Sequence, residues 1–278
     1  MKDLAVLIPA FNDTPALIRT LDSIDEKEND FTVVIVDDGS RDPVQFDTSI
    51  YPFAIVILRQ SNNGGIVKAL NAGLEFIQAE PFSYIARLDA ADLNRPNRFG
   101  LQYQHLCENS DLAMVGANVV FRDEDTFEPI FTTNLPLLAK DTRRWMVFRN
   151  CFIHPAVMFR VDTLNQAGLY DERYPHIEDY VFFSRIVECS NATNLEAPLV
   201  DCLIRKEGIS RLNDHAQLIS GLKFKLQSPH PLNPLWYAYI VKRLSYLVIP
   251  FPLRTRLKHW LGIVSATKPG PVSDSPQA

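Results

Sequence analysis

Four short, uninterrupted apolar runs, each stopped by polar residues, constrain this chain most. Leu4 to Pro9 is the first and ends in "AFND". "FTVVIVDDGS" (31–40), "FAIVILRQ" (53–60) and "FSYIARLD" (82–89) repeat the pattern. Continuous rather than alternating apolarity fits strands covered on both faces, as in a parallel sheet. Helical spacing fills the gaps. Asp13 or Thr14 caps a helix with Pro15 in its first turn, and Leu17, Ile18, Leu21 and Ile24 follow at helical intervals. In "NNGGIVKALNAGLEFIQ" (62–78), Ile66, Ala69, Leu70, Gly73 and Ile77 share a face. Strands alternating with helices predict βαβ units, right-handed crossovers and a doubly wound sheet.

Polar clusters fall just after the strand ends: Phe11-Asn12, Asp37-Asp38, Asn62-Asn63 and Asp89 to Asp92. In an open α/β sheet that edge binds ligands. Each cluster alone is also explained by turn chemistry and capping. The first strand is followed by neither GxGxxG nor a Gly-rich phosphate loop, which argues against a dinucleotide-binding dehydrogenase and a nucleotidyltransferase. After position 100 the pattern loosens. A strand and hairpin are expected over 112–133, a short helix over 141–150, a strand over 153–160, a helix after "RYPHI" (173–177), and a further strand or hairpin over 195–205.

Net charge is −5, so the chain as a whole is not an electrostatic binder of nucleic acid. Its four cysteines form no CxxC pair and read as free thiols in a reducing cytosol. The N-terminal apolar run is too short for a membrane span and poorly shaped for a signal peptide. Charge is unevenly distributed, since no acidic residue lies between Asp214 and Asp274. That segment holds "PLWYAYIVKRLSYLVIPFPLRTRLKHWLGIV" (234–264), two basic, aromatic, amphipathic stretches broken by Pro250 and Pro252. They suit helices lying in a membrane interface, or helices packed on the rest of the protein. The expected organisation is an α/β domain over 1–215, a helical extension over 216–265 and a disordered tail over 266–278.

In their order and spacing, several segments resemble the family 2 glycosyltransferases, whose fold is termed GT-A. They are "VLIPAFN" (6–12), "VVIVDDGSRD" (33–42), "NNGGIVKALNAGLE" (62–75), "ARLDAADLNRPNRF" (86–99), "FIHPAVMFR" (152–160), "AGLYDERYPHIEDYVFFSRI" (167–186) and "GIS" (208–210). The likeness extends over roughly residues 3 to 212 and is greatest to bacterial enzymes of O-antigen and exopolysaccharide synthesis. It implies a Rossmann-like α/β GT-A domain, mostly parallel, with a C-terminal helical tail. It further implies an inverting hexosyltransferase that takes a sugar from a UDP-, dTDP- or GDP-linked donor. The acceptor would be a hydroxyl of a glycan or lipid-linked glycan. The expected location is the cytoplasm, peripheral on the cytoplasmic face of the inner membrane through the C-terminal helices. The alternative is a catalytically degenerate nucleotide-sugar-binding or scaffold protein of the same fold.

By the resemblance, the catalytic base is the Asp of a Glu-Asp pair at a helix start, here Asp179. Physical chemistry agrees, because a helix N-terminus favours ionised carboxylates and a base must be ionised. Plain N-terminal capping is the competing explanation. Pro9, Ala10 and Phe11 are expected to line the base pocket, and Asp37 and Asp38 to accept from base N–H and ribose hydroxyls. Lys68, Arg87 and Asp89 complete the donor side, with Arg205 and Lys206 at the diphosphate. Glu178 and His154 belong to the acceptor side.

Asp89 and Asp92 are the expected ligands of Mg²⁺ or Mn²⁺, with one departure. Family members carry Asp-Ala-Asp-Asp here, and the second Asp of Asp-x-Asp is the principal ligand. This chain has Ala91 in its place. Many members also have Arg-x-His before the Ser motif, where "IRKEGIS" puts Glu207. Two mechanisms stay open. A metal held by Asp89 or Asp92 is one. The other is metal-independent transfer, with the diphosphate offset by preorganised cations such as Lys68, Arg87, Arg205 or Lys206.

Overall fold

A computed structural model describes residues 1–174, 176–204, 214–227 and 229–249. Its strands are β1 (Leu4–Ala10), β2 (Thr32–Asp37), β3 (Ala54–Arg59), β4 (Tyr84–Arg87), β5 (Leu93–Asn94), β6 (Leu112–Asp123), β7 (Pro129–Thr132), β8 (Met158–Arg160) and β9 (Asn191–Ile204). The helices are α1 (Thr14–Asp22), α2 (Ile66–Ala79), α3 (Arg98–Glu108), α4 (Ala139–Met146), α5 (Leu164–Ala167), α6 (Glu178–Cys189), α7 (Asp214–Gln227) and α8 (Pro234–Val248).

One sheet carries the strands in the order β3-β2-β1-β4-β8-β6-β9-β5, with β7 paired to β6. β3, β2, β1 and β4 are mutually parallel, as the continuous apolar runs require. The sheet separates two apolar layers. Ala5 and Leu7 of β1 join Val34 and Val36 of β2 beneath α2 and α6. Leu4, Val6 and Ile8 face the other way with Val33 and Ile35, against Leu17 of α1 and Phe99 of α3. Both faces of β1 are therefore dry, and no polar residue is tolerated until its end. β3 is the edge strand and is only partly buried, although its sequence is as apolar as that of its neighbours.

The second half departs from a pure βαβ series. β8 lies antiparallel between β4 and β6, and β9 runs parallel to β6. The segment expected as one strand over 153–160 is a 3₁₀ turn, His154–Ala156, followed by a three-residue strand. Pro155 explains the break, since it has no N–H to give a ladder. The segment over 195–205 is one long strand rather than a hairpin, and Pro198 sits where its register with β6 shifts.

Asp13 caps α1 by accepting from Ala16 N at 3.0 Å. α3 is capped from afar. Its N-terminal amides of Phe99 and Gly100 donate to Glu26 at 2.8 and 3.1 Å. α7 and α8 form a hairpin whose inner face packs on α6. Phe224 and Tyr239 are buried there against Tyr180, and Lys225 lies over the same rings at 4.9–5.5 Å. Its outer face leaves Ile219, Leu226, Tyr237, Val241 and Leu244 exposed. No helix among the described residues is long and apolar enough to cross a membrane. The four cysteines are free.

The turn after β2 depends on Gly39. Its φ is +69°, and a Cβ there would lie 2.5 Å from the Asn62 carbonyl carbon. Gly39→Ala is expected to cost about 2–3 kcal/mol, read by urea denaturation, because strain and backbone overlap add.

Candidate functional site

The polar strand ends meet on one rim, as the pattern predicts. Asp37 is buried and accepts from Ser40 N (2.9 Å), Val44 N (3.1 Å) and Arg59 Nη1 (3.2 Å). Burial opposes its ionisation, but these hydrogen bonds and Arg59 hold the carboxyl below its usual range. Asp37 therefore shapes its own loop. Asp38, also buried, accepts from Gly64 N and Gly65 N at 2.9 and 2.8 Å and ties that loop to the start of α2. Asn12, at φ +53°, joins β1 to the same loop. Its N donates to Ser40 Oγ at 2.9 Å, and its Oδ1 accepts from Arg41 N at 2.8 Å. Pro9 and Ala10 are buried at the end of β1, while the Phe11 ring beside them is 44% exposed. Lys68 is exposed, and its stem lies against Gly64.

The "LDAAD" segment forms a tight turn, in which Asp92 N donates to Asp89 O at 3.1 Å. Ala91 sits in that turn at φ +92°, a backbone region that only glycine enters freely. Its amide is held by Thr20 Oγ1 at 2.8 Å, and the residue is buried. Arg87 is 1% exposed and donates to Leu7 O, Leu88 O and Asp89 Oδ1. It cannot touch a donor and acts through Asp89. That carboxyl, 34% exposed, stays below its usual range because Arg87 outweighs the effect of burial. Asp92 behaves oppositely. Burial and the neighbouring Asp89 charge push it up to about 8, although its Oδ1 accepts from Leu203 N at 3.0 Å.

The described residues offer few of the roughly six oxygen ligands that a hard divalent cation takes. Asp89 is committed to Arg87, Asp92 to a backbone amide, and Ala91 offers a methyl group. Among the described residues no three His, Cys, Asp or Glu side chains converge to hold a metal.

Asp179 opens α6 beside Glu178. Its Oδ1 accepts from Tyr180 N at 2.7 Å and its Oδ2 from Asn150 Nδ2 at 2.8 Å. Burial, then the charges of Glu178 and Asp89, push Asp179 up to about 7. A carboxyl titrating near neutrality is suited to taking and releasing a proton. Glu178 is pushed up by burial, and its Oε2 is buried without a hydrogen-bond partner among the described residues. His154 Nε2 is 2.8 Å from Tyr170 Oη. Burial and the Arg87 charge lower His154 to about 3, so it is neutral. It is a hydrogen-bonding group rather than a proton-transfer group. Arg205, Lys206 and Glu207 lie outside the described residues.

Residues that the sequence reading passes over hold this arrangement. Asn71 of α2 pairs with the backbone of Tyr170, its Nδ2 donating to the O and its Oδ1 accepting from the N, both at 2.9 Å. Arg98 is fully buried and donates to Arg87 O (2.7 Å), Gln102 Oε1 (2.9 Å) and Asn94 Oδ1 (3.4 Å). Its signal was present in the sequence. Arg98 and Gln102 occupy the same helical stripe as Phe99 and Leu106, a polar pair on an apolar face. Thr20 and Asn150 give no such signal.

Comparison with known proteins agrees with this fold. The chain is 27% identical over 229 residues to the bifunctional glycosyltransferase pgtA of Dictyostelium discoideum, covering 70% of this chain and 30% of that protein. It is 32% identical over 151 residues to the amylovoran biosynthesis glycosyltransferase AmsE of Erwinia amylovora, covering 54% of this chain and 53% of the relative. The chain thus spans about a third to a half of these relatives' own lengths. Among solved structures, S. aureus TarS 1-349 in complex with UDP-GlcNAc superposes with a TM-score of 0.65 at 14% identity, over 94% of this chain and 80% of that one. The mannosyltransferase PcManGT from Pyrobaculum calidifontis, in complex with GDP-Man and Mn2+, gives 0.59 at 16% identity, over 94% and 80%. The family model for glycosyl transferase family 2 matches residues 5–167, from β1 through α5. With that match, the GT-A sheet and the carboxylates along its rim, the chain belongs to glycosyl transferase family 2.

Proposed function

We propose that the protein is an inverting glycosyltransferase. It moves a sugar from a nucleotide-diphosphate sugar to a hydroxyl of a glycan or lipid-linked glycan during synthesis of a cell-surface polysaccharide. The observation that carries this reading is Asp179, a carboxyl tuned to about 7 at a helix N-terminus and electrostatically coupled to the donor rim. The names of relatives support the setting. One is the amylovoran enzyme. Another, 28% identical over 167 residues, is a β-1,3-galactosyltransferase acting on GlcNAc-diphosphoundecaprenol.

In this mechanism the exposed Phe11 ring stacks on the nucleobase. Asp38 and the amides of its loop receive the ribose. Asp37 contributes by fixing that loop. The acceptor hydroxyl oxygen attacks the anomeric carbon from the face opposite the leaving group. The bond from that carbon to the diphosphate oxygen breaks and its electron pair leaves on the diphosphate. The hydroxyl proton passes to Asp179. Asn150 orients the base, and its own burial, with the Glu178 charge beside it, raises its basicity. We assign the protein to the cytoplasmic membrane surface, with the exposed apolar residues of α7 and α8 facing lipid.

Titration calorimetry with UDP-, GDP- and dTDP-sugars tests the donor half of the proposal. One class should bind, and binding by none would overturn it. Because the described residues suit a metal poorly, nucleotide affinity is expected to change less than two-fold when EDTA is added. Ala91→Asp restores the missing ligand position and should create a Mn²⁺ dependence of nucleotide affinity of about ten-fold or more. A wild-type affinity that collapses under EDTA would count against metal independence.

A further inference from the structure

Both hydrogen bonds that hold the Asp179 carboxyl lead back to one residue. Oδ1 accepts directly from Tyr180 N at 2.7 Å. Oδ2 accepts from Asn150 Nδ2 at 2.8 Å, and Asn150 Oδ1 accepts from Phe152 N at 3.2 Å, which fixes the end of the amide that faces the base. Asn150 closes the segment that leaves α4. Phe148 N and Arg149 N both donate to Trp145 O, at 2.8 and 2.9 Å, and wind that segment into a compact turn. Tyr180 Oη donates to Met146 O in the turn at 2.7 Å. Tyr180 thus sets the base through its amide and, through its hydroxyl, the segment whose Asn150 orients the base.

Tyr180 is in turn gripped by the α7–α8 hairpin. Its ring is buried, with Phe224 of α7 edge-on at 5.8 Å, Tyr239 of α8 stacked at 6.1 Å and Lys225 Nζ 4.9 Å from its centroid. Phe224 also meets Tyr174 edge-on at 5.4 Å, and Tyr174 Oη donates to Gln227 Oε1 at the end of α7. Tyr174 stands four residues before Glu178, and Tyr180 directly follows Asp179. Phe224 is therefore a wedge between two tyrosines that bracket the acidic pair.

We propose that Tyr180 is a positioning residue for the base and that the α7–α8 hairpin clamps it through Phe224, so that the helical extension takes part in catalysis. The proposal rests on the transferase reading for the work Asp179 does in turnover, whereas the state of its carboxyl can be read without turnover. The groups that act on that carboxyl are Glu178 beside it, Asp89 with Arg87 beneath it, and the Tyr170 hydroxyl. Two variants leave all of these in place and divide the clamp in two. Tyr180→Phe keeps the ring and removes the pin to Met146. Asn150 then donates less firmly, the ionised carboxyl loses support, and its pH midpoint rises. Phe224→Ala keeps the pin but admits water beside Tyr180. Ionisation becomes easier and the midpoint falls.

The test uses the full chain with carbon-13 in its aspartate carboxyls. The signal missing from Asp179→Asn identifies Asp179, and its pH midpoint is read by NMR in the wild type, Tyr180→Phe and Phe224→Ala. The midpoint should rise by about half a unit or more in the first variant and fall by about half a unit or more in the second. Turnover is read as nucleoside diphosphate released from whichever UDP-, GDP- or dTDP-sugar binds. In both variants kcat should fall about ten-fold or more, with nucleotide affinity within about two-fold of wild type, since the base alone is misplaced. Retained nucleotide affinity also reports intact folding. A role in stability alone would move neither midpoint nor kcat. Should Phe224→Ala fail to fold, Tyr180→Phe decides the matter, because its ring stays in the core. A midpoint unmoved or moved the opposite way in a folded variant would overturn the proposal, as would a kcat equal to that of the wild type. Failure of the transferase reading is a different result, in which the wild type binds no nucleotide while the midpoints still shift.

Discussion

Asp179→Asn is expected to lower the turnover number for sugar transfer by about a thousand-fold while leaving nucleotide affinity within a factor of about two. The amide keeps the volume of the side chain but cannot receive the acceptor's proton. A loss of this size in kcat, with donor binding retained, separates a transferase from a nucleotide-sugar-binding scaffold, for which the substitution would be silent. The pH profile offers a second check. Asp179 must be ionised to act and titrates near 7 in the folded protein, so kcat/KM should climb with pH and level off above about 7. Stability runs the other way. A carboxyl raised from its ordinary value of 3.8 to about 7 favours the folded state most at low pH, where it is protonated in both states. That advantage is lost as pH rises through this window, because the unfolded chain ionises first. Asp179→Asn should consequently melt higher than the wild type at pH 8, by an amount equivalent to about 1–2 kcal/mol. A melting temperature unchanged at pH 8, together with unchanged kcat, would remove Asp179 from the mechanism.

Arg98→Met is expected to cost about 3–5 kcal/mol, a large share of the total stability of a domain, as read from the urea midpoint at constant m-value. Burial lowers Arg98 to about 9 in spite of the opposing charge of Glu26, which is linked to it through Asn94. Removing the guanidinium leaves Glu26 buried with an unbalanced charge and frees Arg87 O, Gln102 and Asn94 of a donor. The double variant Glu26→Gln/Arg98→Met should recover part of the loss, since the orphaned charge is then absent. Arg95→Met provides the contrast. Arg95 is 29% exposed in its pair with Asp201, and its loss should cost no more than about 1 kcal/mol.

The first half of the fold was legible in the sequence because both faces of β1 and β2 are dry, and dryness forces unbroken apolar runs. The rim was legible because polar residues could appear only where those strands end. β8 was not. It is three residues long, and its antiparallel insertion between β4 and β6 is decided by partners distant in the chain. Asp179 could be read from its place at a helix start, but the tuning of its carboxyl could not, since that depends on Glu178, Asp89 and enclosure by other elements. Arg87 looked like a free cation for the diphosphate. In the folded chain it is sealed beneath Asp89, a consequence of its inward position at the end of a buried strand. Asp37 and Asp38 read as a pair with one job, whereas their alternate directions on the strand give one to the loop it begins and the other to the start of α2.

The pairing of the Asn71 side chain with both backbone groups of Tyr170 is a clasp between positions 99 apart. A carboxamide meets a peptide unit with matched donor and acceptor, so no other side chain of that length serves both bonds at once. Anyone grafting a relative's N-terminal half onto this chain's C-terminal half would have to carry that amide across, or α2 would lose its hold on the backbone of Tyr170. Exchange of whole segments between relatives is thus constrained at a single amide side chain.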